Sequence, residues 1–205
     1  MALNPEIEKN YRELLSKITI RKVECEEFVN FLEKETTWLT APASTKYHLN
    51  IEHGLVIHSV NVAMTMLSLK NVLIPEIPDE SCVIVGLFHD VGKIGMPYAP
   101  RYLKKNTSYV YNEELVEMSS AARSLYLVSK FISLSDEEAQ AILYHDGQYI
   151  LENRPVAHKE CHLTLLVTFA DTWAAAKEDG RLKVKQQLYF TKQTNIKQEG
   201  KNGGN

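Results

Sequence analysis

A chain of 205 residues with 44% hydrophobic and 24% charged side chains carries enough apolar material for one sizeable core, and one domain is the expected organisation. Its 23 Lys and Arg against 26 Asp and Glu give a formal charge of −3, which supplies no global basic field and excludes a dedicated duplex-DNA binder. The longest apolar runs, Cys82 to Phe88 and Leu163 to Ala170, fall short of the roughly 20 residues that a bilayer span needs, so no membrane association is expected. Three scattered cysteines (Cys25, Cys82, Cys161) form no closed disulfide framework, and the opening Met-Ala-Leu-Asn-Pro-Glu lacks a secretory pattern, so a reducing, cytoplasmic setting is expected. Charge is uneven: residues 181–205 hold six basic groups and one acid, a net +5 that leaves −8 on the first 180 residues.

Helical periodicity dominates, and the expected fold class is all-α: a helical bundle over residues 1–180 followed by a basic tail at 181–205 whose last residues are disordered. Asn4 and Pro5 form an N-cap and first turn, after which Ile7, Tyr11, Leu14, Leu15 and Ile18 trace one face. A second helix runs from about Val23 with Cys25, Phe28, Val29 and Leu32 inward. Thr40 to Asn50 reads as a loop, and a helix follows from about Gly54 to Leu69. Pro75, Pro78 and Asp79 introduce a helix from Glu80 to about Asp90 that is apolar on nearly every side and therefore buried. Gly92 to Tyr111 reads as a loop rich in Tyr, Pro and Lys, and the stripe Leu115, Met118, Ala122, Leu125, Val128, Ile132 as one long helix. Ser135 and Glu138 make a capping box for a helix that Gly147 ends, and a last helix spans about His158 to Asp179 before Gly180.

Three of these apolar helices each place a polar group where the core pattern asks for an apolar one. His58 lies on the face of Leu55, Val62 and Met66, where a satisfied core histidine and a metal ligand are both open readings. His89 and Asp90 end the most buried helix, where a carboxylate needs a partner. Asp171 sits among Leu166, Val167, Phe169, Ala170, Trp173 and Ala174, with no basic residue on its own face. Imidazoles and carboxylates together are what a divalent cation accepts, so His58, His89, Asp90 and Asp171 form a candidate metal-ligand set for Mn, Mg, Co, Fe, Zn or Ni.

In order and context, Gly54-Leu55-Val56-Ile57-His58-Ser59, Gly86-Leu87-Phe88-His89-Asp90-Val91-Gly92-Lys93-Ile94 and Phe169-Ala170-Asp171 resemble the motif neighbourhoods of the HD superfamily of metal-dependent phosphohydrolases. The resemblance implies an HD-type bundle in which these residues hold one divalent ion rather than two. Within that superfamily, Tyr47-His48-Leu49-Asn50 and Tyr144-His145-Asp146-Gly147-Gln148 are most similar to the catalytic portion of HD-type 3′-to-5′ exoribonucleases. Asp146 stands where that group tends to have a second histidine, and Glu113 to Ser120 contains no histidine of the kind found in two-metal members.

Around the expected metal, Asp90, Lys93 and His145 are the candidate catalytic residues. Lys93 could meet a phosphoryl group as a point charge or be a solvated lysine, and His145 could protonate a leaving group, bind phosphate, ligate a second ion or only end a helix. His48, Arg101 and Lys104 are candidate substrate contacts, the last two in a loop whose Tyr98, Tyr102, Tyr109 and Tyr111 could stack on bases. His53 falls on no common helical face with His58, and His158 with His162 reads as a surface pair at a helix start. The expected activity is metal-dependent hydrolysis of a phosphoester of a nucleotide or related small compound. Exonuclease action on short single-stranded nucleic acid and a non-catalytic nucleotide-binding module are the alternatives, and a homodimer is the expected assembly.

Overall fold

The computed structural model describes residues 3–106 and 108–182, and the basic tail beyond Leu182 lies outside the described residues. Asn4 caps α1 (Pro5–Leu15) by accepting the Glu6 N–H at 2.8 Å, as Asn-Pro predicts. α1 and α2 (Lys22–Glu35) bring Tyr11, Phe28 and Leu32 into the core, where Trp38 Nε1 donates to the Tyr11 hydroxyl at 3.1 Å.

The centre of the molecule is α3 (Gly54–Leu73), with α4 (Asp79–Phe88) on one flank and α7 (His162–Glu178) on the other. Gly86 permits the α3–α4 contact: a Cβ there would stand 2.5 Å from Ala63 Cα. α3 is long and apolar enough to cross a membrane by composition, but half of that window is buried in the protein, against α4 and α7. α5 (Ser120–Ser129) and α6 (Asp136–Tyr144) complete the bundle, and the capping box of α6 forms through both Ser135 and Glu138. Glu138 also accepts two bonds from Arg21, at 2.6 and 2.7 Å, and Arg21 Nε reaches Glu80 at 2.8 Å, so one guanidinium ties α2 to α4 and α6.

The all-α class holds, with three local corrections. Gly92–Tyr111 is not an unstructured loop: a short 3₁₀ turn (Val91–Ile94) leads into two small antiparallel hairpins, β1–β2 (Gly95–Met96, Ala99–Pro100) and β3–β4 (Tyr102–Lys105, Ser108–Tyr111), with Tyr102 opposite Tyr111. The β-branched and aromatic residues there satisfy strand pairing, which the helical pattern had masked. The helix expected from Leu115 begins at Ser120, because Ser119 accepts the Ala122 N–H and starts the helix there. The last helix begins at His162; His158 precedes it with φ +62, so the pair shares no helical face.

Candidate metal centre

The HD turn is built at the end of α4. His89 caps the helix and Asp90 leaves it, and Gly92 lets α5 approach so closely that its amide donates to Ser124 Oγ at 2.8 Å. A Cβ at Gly92 would meet Ser120 O at 2.2 Å. This turn carries both side chains inward: His89 is 0% and Asp90 3% exposed. His58 from α3 arrives fully buried beside them, and Asp171 from α7 closes the fourth side.

Each histidine presents the same nitrogen. His89 Nδ1–H donates to the Gly86 carbonyl at 2.9 Å and His145 Nδ1–H to the Ile142 carbonyl at 2.8 Å, while His58 Nδ1–H donates to Glu178 at 2.9 Å. That leaves each Nε2 turned to the centre, the nitrogen a metal ligand needs at His58 and His89, while at His145 burial lowers the pKa but Asp90 and Asp146 outweigh it, raising it to about 9 and keeping a proton there. His89 Nε2 is buried and makes no hydrogen bond, and His58 Nε2, also buried, has Asp171 Oδ1 2.9 Å away but not aligned as a hydrogen bond. Buried polar atoms without well-made partners are costly, which makes these two nitrogens candidate ligands.

The oxygens complete the shell. Asp171 Oδ1 stands 2.9 Å from His58 Nε2, and Asp90 Oδ2 stands 3.8 Å from His58 Nε2 and 3.6 Å from His89 Nε2. Adjacent ligands of an octahedral ion with bonds of about 2.1 Å are themselves about 3 Å apart, so this spacing suits one divalent cation. The donor atoms of His58, His89 and Asp171 lie within 4.8 Å of one another, as do those of His89, Asp90 and His145.

Electrostatics agree with the donor chemistry. Burial pushes the His89 pKa down to about 4, keeping it neutral as a ligand must be. Burial alone would raise Asp90 and Asp171, but Lys93 and the histidines hold Asp90 well below the usual carboxylate range, and His58 does the same for Asp171. Burial works to lower the His58 pKa, yet Asp171 and Glu178 outweigh it and raise it to about 10. A proton and a divalent cation therefore compete for His58 Nε2.

The other expected residues fall unequally around this centre. His145, 1% exposed, places Nε2 3.5 Å from Asp90 Oδ1 and 3.7 Å from Oδ1 of the half-exposed Asp146. Lys93 reaches the site by pairing with Asp90 Oδ2 at 2.5 Å rather than by extending freely into solvent. The His48 ring centre lies 4.7 Å from that of His58, the rings tilted by 44°, and the His48 Nε2 is buried and unbonded. Arg101 lies against the Tyr102 and Tyr111 rings. Lys104 is on exposed β3, 3.9 Å from Glu52, and is not among the residues gathered at Asp90. His53 turns away, its Nδ1 bonded to the Leu39 carbonyl.

Sequence reasoning missed Glu178 and Asn61. Glu178 accepts from His58 and, at 2.8 Å, from Asn61 Nδ2, and so fixes the ring that carries the metal-facing nitrogen. The available signal was a glutamate in the last turn of an apolar helix, where the helix dipole disfavours it, seven residues and two turns beyond Asp171.

Neither a curated protein nor a solved structure matches the chain. The HD domain family model does, over residues 55–176. That span takes in His58, His89, Asp90, His145 and Asp171 and stops two residues short of Glu178, and with more than half of its length matched the chain belongs to the HD domain family.

Proposed function

We propose that this protein is a metal-dependent phosphohydrolase that cleaves a phosphoester of a nucleotide or related small compound, with His58, His89, Asp90 and Asp171 holding one divalent ion. The observation that carries the reading is the pair of buried Nε2 atoms of His58 and His89 facing the carboxylates of Asp90 and Asp171. A divalent ion in such a shell lowers the pKa of bound water toward neutrality and neutralises charge on a phosphoryl oxygen.

The chain's own groups supply the rest. Lys93 Nζ, beside Asp90, places a positive charge where the phosphoryl oxygens gain negative charge. Water adds to phosphorus as the bond to the leaving oxygen breaks. His145 Nε2 gives its proton to that oxygen, Asp90 Oδ1, 3.5 Å from that nitrogen, holds the imidazole in place, and the attacking water loses its proton to solvent on the open side. The bulk of the bundle excludes solvent behind His58 and His89, and Asp171, with a side chain 20% exposed, marks the open side.

The test is a panel of nucleoside mono-, di- and triphosphates, cyclic diesters and short single-stranded RNA, incubated with Mn²⁺ or Co²⁺. Phosphate or nucleoside release that a chelator abolishes supports the reading. Stoichiometric nucleotide binding without turnover, insensitive to chelator, overturns it in favour of a binding module, and laddered mononucleotide release from RNA overturns it in favour of an exonuclease.

A further inference from the structure

Two arginines near the HD turn make no ion pair among the described residues, although Glu117 is close enough to act on Arg123. Arg123, on α5, is 1% exposed, and its one hydrogen bond runs from Nη2 to the Val116 carbonyl at 2.6 Å. Arg101, between β2 and β3, donates weakly from Nη1 to the Met118 carbonyl at 3.4 Å. The Nε of each is buried with no partner, and among the described residues no carboxylate forms an ion pair with either. Each guanidinium carries five donors, so both are far from satisfied. Burying a cation without a paired anion is costly, and here two lie close enough for Arg101 to help hold the Arg123 pKa down, after burial itself.

Their placement connects them to the reaction. The Arg101 guanidinium lies 5.3 Å from the Tyr111 ring centre and 6.0 Å from that of Tyr102, and Tyr102 is within electrostatic reach of Lys93. Arg123 starts from the α5 turn packed on Gly92, where its Cβ is 2.9 Å from the position a Gly92 Cβ would take. Beside Arg101 is a cavity of about 340 Å³ lined by Arg101, Tyr111, Asn112 and Leu115, with Glu113 and Glu117 exposed at its rim; Arg123 lies outside that lining and is joined to it through its bond to Val116. Planar guanidinium forks match phosphoryl oxygens, and a nearby aromatic face suits a base or a stacked Arg.

We infer that Arg101 and Arg123 form a second oxyanion subsite that takes a phosphoryl group other than the one cleaved, so that the substrate carries at least two. This rests on the phosphohydrolase reading for its link to catalysis, although anion binding itself does not need it. A nucleoside polyphosphate and a short oligonucleotide share that chemistry. The rim glutamates act against the bound charge, which predicts that removing one improves binding.

The probe is inorganic pyrophosphate, titrated by calorimetry into chelator-treated protein so that the metal centre does not contribute. Arg101→Gln is expected to weaken binding at least tenfold and Glu117→Gln to tighten it, with exposed Lys9→Gln unchanged. Arg123→Lys, which keeps charge but loses the fork, is expected to weaken it as well. Unaltered affinity in Arg101→Gln, with circular dichroism like the parent, overturns the subsite, and so does an unaltered affinity in Glu117→Gln together with Arg123→Lys. Turnover separates this from the reading it rests on. Hydrolysis with equal KM in parent and Arg101→Gln for mono- and triphosphates overturns the subsite and leaves the phosphohydrolase standing. Weakened pyrophosphate binding without any hydrolysis supports the subsite and rejects the phosphohydrolase. In active protein, an Arg101→Gln penalty on triphosphates identifies a nucleotide source, and one confined to oligonucleotides the other.

Discussion

Replacing Glu178 by glutamine tests the centre through a residue that does not face it. Glu178 accepts from His58 Nδ1 at 2.9 Å and from Asn61 Nδ2 at 2.8 Å, and its side chain is 5% exposed. The glutamine amide keeps the size and can still accept from Asn61, but its NH₂ donates to His58 Nδ1. That moves the imidazole proton to Nε2, the atom turned toward Asp171. A buried charge-assisted hydrogen bond contributes about 1.5–3 kcal/mol, and loss of such an orienting contact typically costs ~10–100-fold in metal affinity. At about 1.4 kcal/mol per tenfold, both routes converge on about 1.4–2.7 kcal/mol. Competitive titration of Mn²⁺ or Co²⁺ reads it directly, and the melting temperature of chelated protein confirms that the fold is intact. Equal metal affinity in a folded Glu178→Gln variant would refute the claim that this carboxylate sets the ligand.

Three further outcomes follow from the fold. Glu80 and Glu138 are held below the usual carboxyl range because Arg21 and backbone N–H donors more than reverse the effect of burial. The stabilisation is thus complete above the unfolded pKa of about 4.5 and is lost as pH falls through the lower folded values. Glu138→Gln should flatten that acid limb in urea titrations and cost about 1.5–3 kcal/mol at pH 7, since it removes one of the two carboxylates that pair with Arg21. Burial pushes the Cys25 and Cys82 thiols up to about 12, so a disulfide reagent at neutral pH should modify one thiol per native chain, Cys161, and all three only in denaturant. Gly86→Ala gains helix propensity of up to about 1 kcal/mol but forces a Cβ to 2.5 Å from Ala63 Cα. Because backbone must move, and α4 ends in His89, overpacking of about 1–3 kcal/mol should win, lowering both melting temperature and metal affinity.

The helices and the candidate ligands that the fold gathers were legible because they rest on local rules. Asn4, Ser135 and Glu138 cap as their sequence positions predict, and His58, Asp90 and Asp171 were conspicuous as polar groups on apolar faces. What escaped needed long-range information. Glu178 and Asn61 are 117 residues apart, and nothing in either helix announces the other. Nothing within α5 announces the burial of Arg123, whose guanidinium is held by the Val116 carbonyl in the segment before the helix. The hairpins themselves are two to four residues per strand, too short for alternation to stand out from a Tyr-rich loop. Lys93 was expected at the site, but its partner there, Asp90, is a contact that spacing of three on a 3₁₀ turn permits and composition does not reveal.

The most direct measurement is metal stoichiometry by equilibrium dialysis against Mn²⁺ at pH 7.5, followed by elemental analysis, on the parent and on Asp171→Asn. Asp171 is the ligand of choice because its side chain is partly exposed, so the variant removes a ligand charge without stranding a fully buried partner helix. The account predicts about one ion per chain in the parent and essentially none in Asp171→Asn, with circular dichroism showing the same helical content in both after chelation. A parent that binds no ion, or a variant that binds as much as the parent, would contradict it.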